Sequence, residues 1–243
     1  MNTLYTDITS RISKGEKLLA VLIDPDKMAP VNITKFIAKV NASIATHIFV
    51  GGSEVKGSLT DTLVLEIKKN TTLPVMLFPG DVTQLTPHAD ALLFLSLISG
   101  RNPDYLIGKH VEAVSKLRTM DLEVIPTGYL LIENGKKTSV ERVTNTKPLA
   151  INNVKSIIDT AKAGEYLGMK LIYLEAGSGA TRPIDLKIIK KVKAHLTIPL
   201  IVGGGIKTKL QLQNAYNSGA DLVVIGTAFE ENESFFNELQ TGR

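Results

Sequence analysis

Short continuous apolar runs alternate along the chain with longer segments in which apolar residues recur every three or four positions. Leu18–Ile23, His47–Val50, Pro74–Phe78, Ala91–Leu95 and Leu122–Pro126 are the first five runs, and Leu171–Glu175, Ile198–Val202 and Leu222–Ile225 the last three. Each has the length and β-branched content of a fully buried strand. Between them, Val31–Val40 places Ile33, Phe36, Ile37 and Val40 on one helical face. Helices are likewise predicted over Thr60–Lys69, Pro103–Leu117 and Asn153–Leu167, and near Ile184–Ala194, Lys207–Asn217 and Glu230–Gln240. Two stretches depart from the rhythm. Val82–His88, after the third run, is too short and Pro-interrupted for a crossover helix. Thr127–Thr146 alternates poorly and carries Asn134-Gly135, a favoured hairpin turn, so Tyr129–Ile132 and Lys137–Val143 read as a hairpin over one mouth of the fold.

Strands joined by helices must be parallel, because a parallel pair needs a crossover connection. Eight such strands in one chain of 243 residues fit a single (β/α)8 barrel over residues 1–243, with an irregular third βα unit. A doubly wound open sheet is disfavoured, since no Gly-x-Gly-x-x-Gly follows the first strand. Apart from the βα unit, no repeat or low-complexity segment is evident.

Composition narrows the chemistry. A charge of +4 from 28 basic and 24 acidic residues is mild, the lysines are scattered, and there is no Trp, so nucleic-acid binding has little support. With no Cys, disulfides, thiolate catalysis and Cys-ligated metal are out of reach, and a cytoplasmic setting is expected. The polar stretch Met1–Lys17 shows no signal-peptide core, and no apolar window is long enough for a membrane span.

The last three strands all end in small residues: Tyr173-Leu174-Glu175-Ala176-Gly177-Ser178-Gly179, then Gly203-Gly204-Gly205, then Gly226-Thr227. Glycine lets backbone N–H groups approach a ligand, and the helix start that follows favours an anion. In barrels, the loops after strands seven and eight are a frequent phosphate site. Other strand ends offer Asp24 and Asp26, Ser53 and Glu54, Asp81, Ser96, and Thr127 with Tyr129. An Asp beside hydroxyl and phosphate oxygens suits Mg²⁺, although Asp24 before Pro25 also suits a plain Asx turn or cap. Glu175 stands inside an apolar strand two residues before the glycine loop. Unpaired burial there would be costly, so it is either held in a structural salt bridge or faces the ligand mouth. Beside the proposed phosphate loop, it is expected to face a substrate hydroxyl and accept its proton. His47, His88, His110 and His195 have no mutual metal-ligand spacing, and no Lys ends a strand as a Schiff-base lysine would.

At these residues the chain resembles the geranylgeranylglyceryl phosphate synthases, within the prenylglyceryl phosphate synthase family. Leu22-Ile23-Asp24-Pro25-Asp26-Lys27, Val50-Gly51-Gly52-Ser53, Tyr173–Gly179, Val202-Gly203-Gly204-Gly205-Ile206 and Val224-Ile225-Gly226-Thr227 carry the likeness across nearly the whole chain. The resemblance implies a prenyltransferase joining an allylic prenyl diphosphate to the 3-hydroxyl of sn-glycerol 1-phosphate. Asp24 and Ser53 would then hold Mg²⁺. Tyr173, Leu174, Glu175, Ala176, Gly177, Ser178, Gly179, Gly204, Gly205, Gly226 and Thr227 would bind glycerol 1-phosphate. Phe78, Leu95 and Tyr129 are candidates for the wall of a prenyl groove.

Some relatives carry a Lys two positions before the metal Asp. Here that position is Leu22, so its charge must come from another group. The resemblance also implies a homo-oligomer, and a lipid substrate fits peripheral membrane contact, although no amphipathic anchor stands out. A phosphosugar isomerase and a non-catalytic phosphate-ligand or flavin-binding barrel are the competing readings. The first would survive EDTA, and the second would bind without turnover.

Overall fold

In the computed structural model, residues 3–52, 59–231 and 235–240 are described. Strands β1 (Leu18–Ile23), β2 (His47–Val50), β3 (Val75–Leu77), β4 (Ala91–Ser96), β5 (Glu123–Leu131), β6 (Leu171–Glu175), β7 (Leu200–Gly203) and β8 (Leu222–Ile225) form a closed parallel barrel in sequence order. β8 pairs back onto β1 from Leu18–Leu222 to Val21–Ile225, which leaves no sheet edge.

Apart from the start of β5, where Val124 is exposed, the strands are buried on both faces, and the strand period of two sorts side chains into two apolar layers. Leu18, Ala20, Phe49, Met76, Leu93, Ile125, Leu171, Tyr173, Ile201 and Val224 fill the barrel interior. Leu19, Val21, Ile48, Val50, Leu92, Ile172, Leu174, Val202 and Val223 pack outward against the helices. Along β6 this rule sends Leu171 and Tyr173 inward, and Glu175 follows them. Leu174 and Ala176 go to the helix layer instead.

The helices are α1 (Leu4–Ser13), α2 (Ile33–Asn41), α3 (Leu59–Asn70), α4 (Lys109–Leu117), α5 (Ser139–Thr144), α6 (Val154–Tyr166), α7 (Leu186–Lys193), α8 (Lys209–Asn217), α9 (Thr227–Glu231) and α10 (Phe235–Glu238). Side-chain caps fix several starts: Asn153 accepts from the Ser156 N–H, Asp185 from Lys187 and Thr208 from Gln211. The helix expected near Glu230–Gln240 is instead the two short helices α9 and α10, whose Phe229, Phe235 and Phe236 stack together.

The polar N-terminal stretch is also helical. Leu4, Tyr5, Ile8 and Ile12 repeat at helical spacing, and buried Ile8 joins the interior core. Truncating Ile8 to Ala would cost about 2–5 kcal/mol. At the start of α1 the Glu123 carboxylate accepts the Leu4 and Tyr5 N–H groups at 2.5 and 3.1 Å, satisfying two donors that the helix cannot.

Three departures from regularity position the site. The third unit does lack a crossover helix: only a 3₁₀ turn, Val82–Gln84, connects β3 to β4. The expected long helix over Pro103–Leu117 begins as a π-helical turn, Asp104–Gly108, before α4. The predicted hairpin does not form. Tyr129–Leu131 continues β5, and Ser139–Thr144 is helix α5. The reason is a capping box: the Thr138 hydroxyl accepts the Glu141 N–H at 3.1 Å, and the Glu141 carboxylate accepts the Thr138 N–H at 2.7 Å. Asn134-Gly135 makes only a bend ahead of it.

Candidate active site

At the C-terminal mouth of the barrel lie two contiguous cavities. One is polar and is bounded by Asp24, Tyr173, Glu175, Gly177–Gly179, Gly204-Gly205 and Gly226-Thr227. The other is apolar and runs between β3, β4 and α4, against Leu92, Phe94, Leu97, Tyr105 and Ala113. Gly52, Phe78, Tyr129 and Val140 line both, so they form the shared wall. Helix α5 lies over the junction, contributing Ser139 and Val140 to the polar side and Val143 and Thr144 to the apolar side.

The polar cavity is shaped by glycine where no other residue fits. A Cβ on Gly203 would sit 2.1 Å from the Tyr173 hydroxyl and 3.0 Å from Glu175 Oε2. Gly204 has φ +84°, and a Cβ there would lie 2.5 Å from Glu175 Oε1 and 2.9 Å from the Gly177 nitrogen. The loops after β6 and β7 therefore touch through backbone, leaving the Glu175 carboxylate between them. Leu174 and Ala176, expected to bind substrate, do not line the cavity. Their side chains belong to the outer core, so only their backbone can contribute. Ser178 is exposed at the cavity edge, and Thr227 opens α9.

Glu175 Oε1 accepts the Gly177 N–H at 2.6 Å, and among the described residues it has no ion-pair partner. Burial pushes its carboxyl up to about 7, with the Gly177 N–H and the nearby Tyr173 hydroxyl pulling the other way. Burial, with the Glu175 charge beside it, raises the Tyr173 phenol well above its ordinary range. That hydroxyl lies next to Glu175 but makes no well-aligned hydrogen bond to any described residue. The ring is held by stacking: Phe78 and Tyr129 both lie 5.3 Å from Tyr173, centroid to centroid, with Phe49 behind Phe78 at 6.3 Å.

Asp24 sits in a tight turn. Its Oδ1 accepts the Asp26 N–H at 3.1 Å, and its carbonyl accepts the N–H groups of Lys27 and Met28, both at 3.1 Å. Oδ2 lies 3.5 Å from Lys27 Nζ. The Asx turn and the cavity-facing carboxylate are thus both realised. Ser53 and Glu54 lie outside the described residues. Among the described residues no cluster of three or more His, Cys, Asp or Glu could form an all-protein metal cage. The cavity-facing Asp24 carboxylate nonetheless suits Mg²⁺, which usually keeps waters and shares ligands with substrate phosphates. The described lining carries Asp24, Asp26 and Glu175 against Lys27 and Lys207, so it offers a phosphorylated ligand no net positive charge.

The remaining strand-end candidates are structural. Asp81 caps the 3₁₀ turn through the Thr83 N–H and pairs with Lys109 at 2.9 Å. Ser96 donates to the Leu106 carbonyl at 2.9 Å, and buried Thr127 donates to its own strand at Ile125. His110, set edge-on to Phe94 at 4.3 Å in the apolar wall, is shifted toward its neutral form by burial. Buried His47 is pushed down to about 4 by burial, with the nearby Arg11 charge adding to it. Phe78, Leu95 and Tyr129 all line the apolar cavity.

Fold and site together define a closed (β/α)8 barrel whose glycine loops open onto an apolar slot. The PcrB family model matches residues 11–242, and the chain belongs to that family. It is 52% identical to the geranylgeranylglyceryl phosphate synthase of Flavobacterium johnsoniae, over 98% of each chain. With that of Zunongwangia profunda it shares 55% identity, over 92% of this chain and 94% of the relative. Among solved structures, (S)-3-O-geranylgeranylglyceryl phosphate synthase from Thermoplasma acidophilum in complex with its substrate sn-glycerol-1-phosphate superposes with a TM-score of 0.91. Its sequence identity is 32%, covering 98% of this chain and 96% of the other.

Proposed function

We propose that this protein joins the 3-hydroxyl of sn-glycerol 1-phosphate to an allylic prenyl diphosphate, the geranylgeranyl group of its named relatives, forming an ether and releasing diphosphate. The observation that carries the reading is the contact between a glycine-walled polar cavity and an apolar one across a wall of aromatic rings. Neither substrate alone requires both.

Gly177–Gly179, Gly204-Gly205 and Gly226-Thr227 hold the phosphate by backbone N–H groups, and this fixes where the free hydroxyl lies. Glu175, between the first two loops, accepts the hydroxyl proton as the C–O bond forms. The faces of Phe78, Tyr129 and Tyr173 border the junction and stabilise positive charge on the allylic carbon by their quadrupoles, while the apolar slot takes the tail and excludes water. Asp24, with Ser53 as the resemblance implies, would hold Mg²⁺, which when bound would neutralise charge on the departing diphosphate.

The test is incubation with radiolabelled sn-glycerol 1-phosphate and prenyl diphosphates of several lengths, with Mg²⁺ or with EDTA. A labelled ether lipid is expected only with Mg²⁺. Glycerol phosphate left unconsumed with every prenyl donor would overturn the assignment.

A further inference from the structure

The polar cavity has to receive a diphosphate, and its described lining carries two ammonium groups, Lys27 and Lys207. We propose that Lys27 is the cation that binds the diphosphate, alternating between Asp24 when no metal is bound and the diphosphate oxygens when it is. This rests on the prenyltransferase reading above and assigns a contact within that site.

Three observations carry it. Lys27 lines the polar cavity, and its ammonium forms a long ion pair with Asp24 Oδ2 at 3.5 Å. The backbone ties the two residues together, since the N–H groups of Lys27 and Met28 both return to the Asp24 carbonyl. Any anion anchored at Asp24 through a metal is therefore within reach of the Lys27 side chain. Finally, the Lys27 side chain is 48% exposed against 22% for Asp24, so a ligand in the cavity can reach the ammonium without unpacking a core. Lys207, the other described ammonium on the cavity lining, sits in the loop after Gly204-Gly205, on the glycerol phosphate side.

Shared use of Asp24 makes the prediction two-signed. Without diphosphate, the ammonium competes with a divalent ion for the carboxylate. With diphosphate, it adds to the binding of the ion-bound anion. Mn²⁺ binding followed by electron paramagnetic resonance, and inorganic diphosphate and sn-glycerol 1-phosphate binding followed by calorimetry, separate these effects on the full chain.

K27Q is expected to bind Mn²⁺ alone a few-fold more tightly and Mn²⁺-diphosphate about tenfold more weakly, the scale of one lost charge-assisted contact. Glycerol 1-phosphate affinity should stay within about twofold. K27R should restore most of the diphosphate affinity, because a guanidinium also pairs with phosphate oxygens. Diphosphate affinity unchanged in K27Q, or glycerol 1-phosphate affinity falling in parallel, would overturn the assignment. If the wild-type protein bound no Mn²⁺-diphosphate, the prenyltransferase reading itself would fail and this assignment with it.

Discussion

The two cavities at the barrel mouth are built in opposite ways. The polar one is made of backbone, set by glycines at the ends of β6, β7 and β8, and its buried carboxylate, Glu175, is fixed by the Gly177 N–H. The apolar one is made of side chains and exists because β3 and β4 are joined by a 3₁₀ turn instead of a helix. Without a covering helix, the outward residues Leu92 and Phe94 are left to line a slot closed by His110 and Ala113 from α4. Glycine geometry tolerates almost no change, whereas a side-chain wall can be repacked. The polar half should therefore fail abruptly under substitution and the apolar half by degrees.

The largest effect is expected at Glu175. Glu175→Gln keeps the shape and the contact with Gly177 but cannot take a proton, so kcat should fall by about 10²–10⁴-fold with glycerol 1-phosphate affinity retained. Steady-state kinetics beside calorimetry would separate the two, and near-normal kcat would remove Glu175 as the base. Because burial lifts its carboxyl to about 7, wild-type kcat should rise with pH through neutrality, and the variant should lack that limb.

Stability runs the other way. The folded state holds a proton that the unfolded chain loses near the ordinary value of 4.5. The contribution is therefore full below about pH 4.5 and is lost as pH climbs to about 7, by up to about 3 kcal/mol. Between pH 5 and 8 the Tm of the wild type should drop more than that of the Gln variant.

Next in size is Gly204→Ala, which tests the backbone half without replacing a polar side chain. Its Cβ would press on Glu175 Oε1 at 2.5 Å from a left-handed backbone. A cost of about 1–3 kcal/mol in stability is expected. With the loop displaced, kcat/KM for glycerol 1-phosphate should fall by about 10²-fold. Binding of a fluorescent prenyl analogue should be nearly unchanged. Equal damage to both would mean that the cavities are not independent.

That contrast also accounts for what the sequence disclosed. Glycines after β6, β7 and β8 announce the polar cavity because φ near +84° at Gly204 leaves a residue-type signature. Alternation along β6 likewise points Tyr173 and Glu175 to the interior. The same alternation excludes the Leu174 and Ala176 side chains, which reading the motif as one block obscured. The slot was half legible: the missing helix after β3 showed as a short Pro-interrupted stretch, but the tertiary contacts that wall it leave no local pattern. Helix α5 was misread because Asn134-Gly135 outweighed Thr138-x-x-Glu141, a capping box in plain view. Helix α1 was missed because few of its positions are apolar, and its dipole partner, Glu123, lies 119 residues away.

Phe78 belongs to both cavities, so Phe78→Leu asks which half it serves. Losing the ring removes contacts with Phe49, Tyr129 and Tyr173 but introduces no backbone strain. KM for the prenyl diphosphate should rise about tenfold, in keeping with a reshaped apolar pocket. KM for glycerol 1-phosphate should stay within about twofold, because no phosphate loop moves. The reverse pattern would place the aromatic wall with the polar half.

The smallest effect should come from the ion pair on the rim of the apolar slot. Lys109 Nζ lies 2.9 Å from Asp81 and 3.2 Å from Glu112. Hydrogen bonding to Asp81 and then Glu112 pushes Lys109 up to about 12. Burial pushes the Asp81 carboxyl up, but the hydrogen bonds from Lys109 and Thr83 and the Lys109 charge together pull it below its ordinary value. Such shifts look large, but the Lys109 and Asp81 side chains are 35% and 36% exposed, and water screens most of that interaction. Lys109→Met should therefore cost less than about 1 kcal/mol, and less still at high salt. The carbon stem of Lys109 already lines the slot, so Met replaces its packing and leaves prenyl binding nearly intact. Chemical denaturation at low and high salt, with the KM of both substrates, measures this. A tenfold change in either KM would mean that the rim charge takes part in binding, and the division into a rigid polar half and a forgiving apolar half would no longer hold.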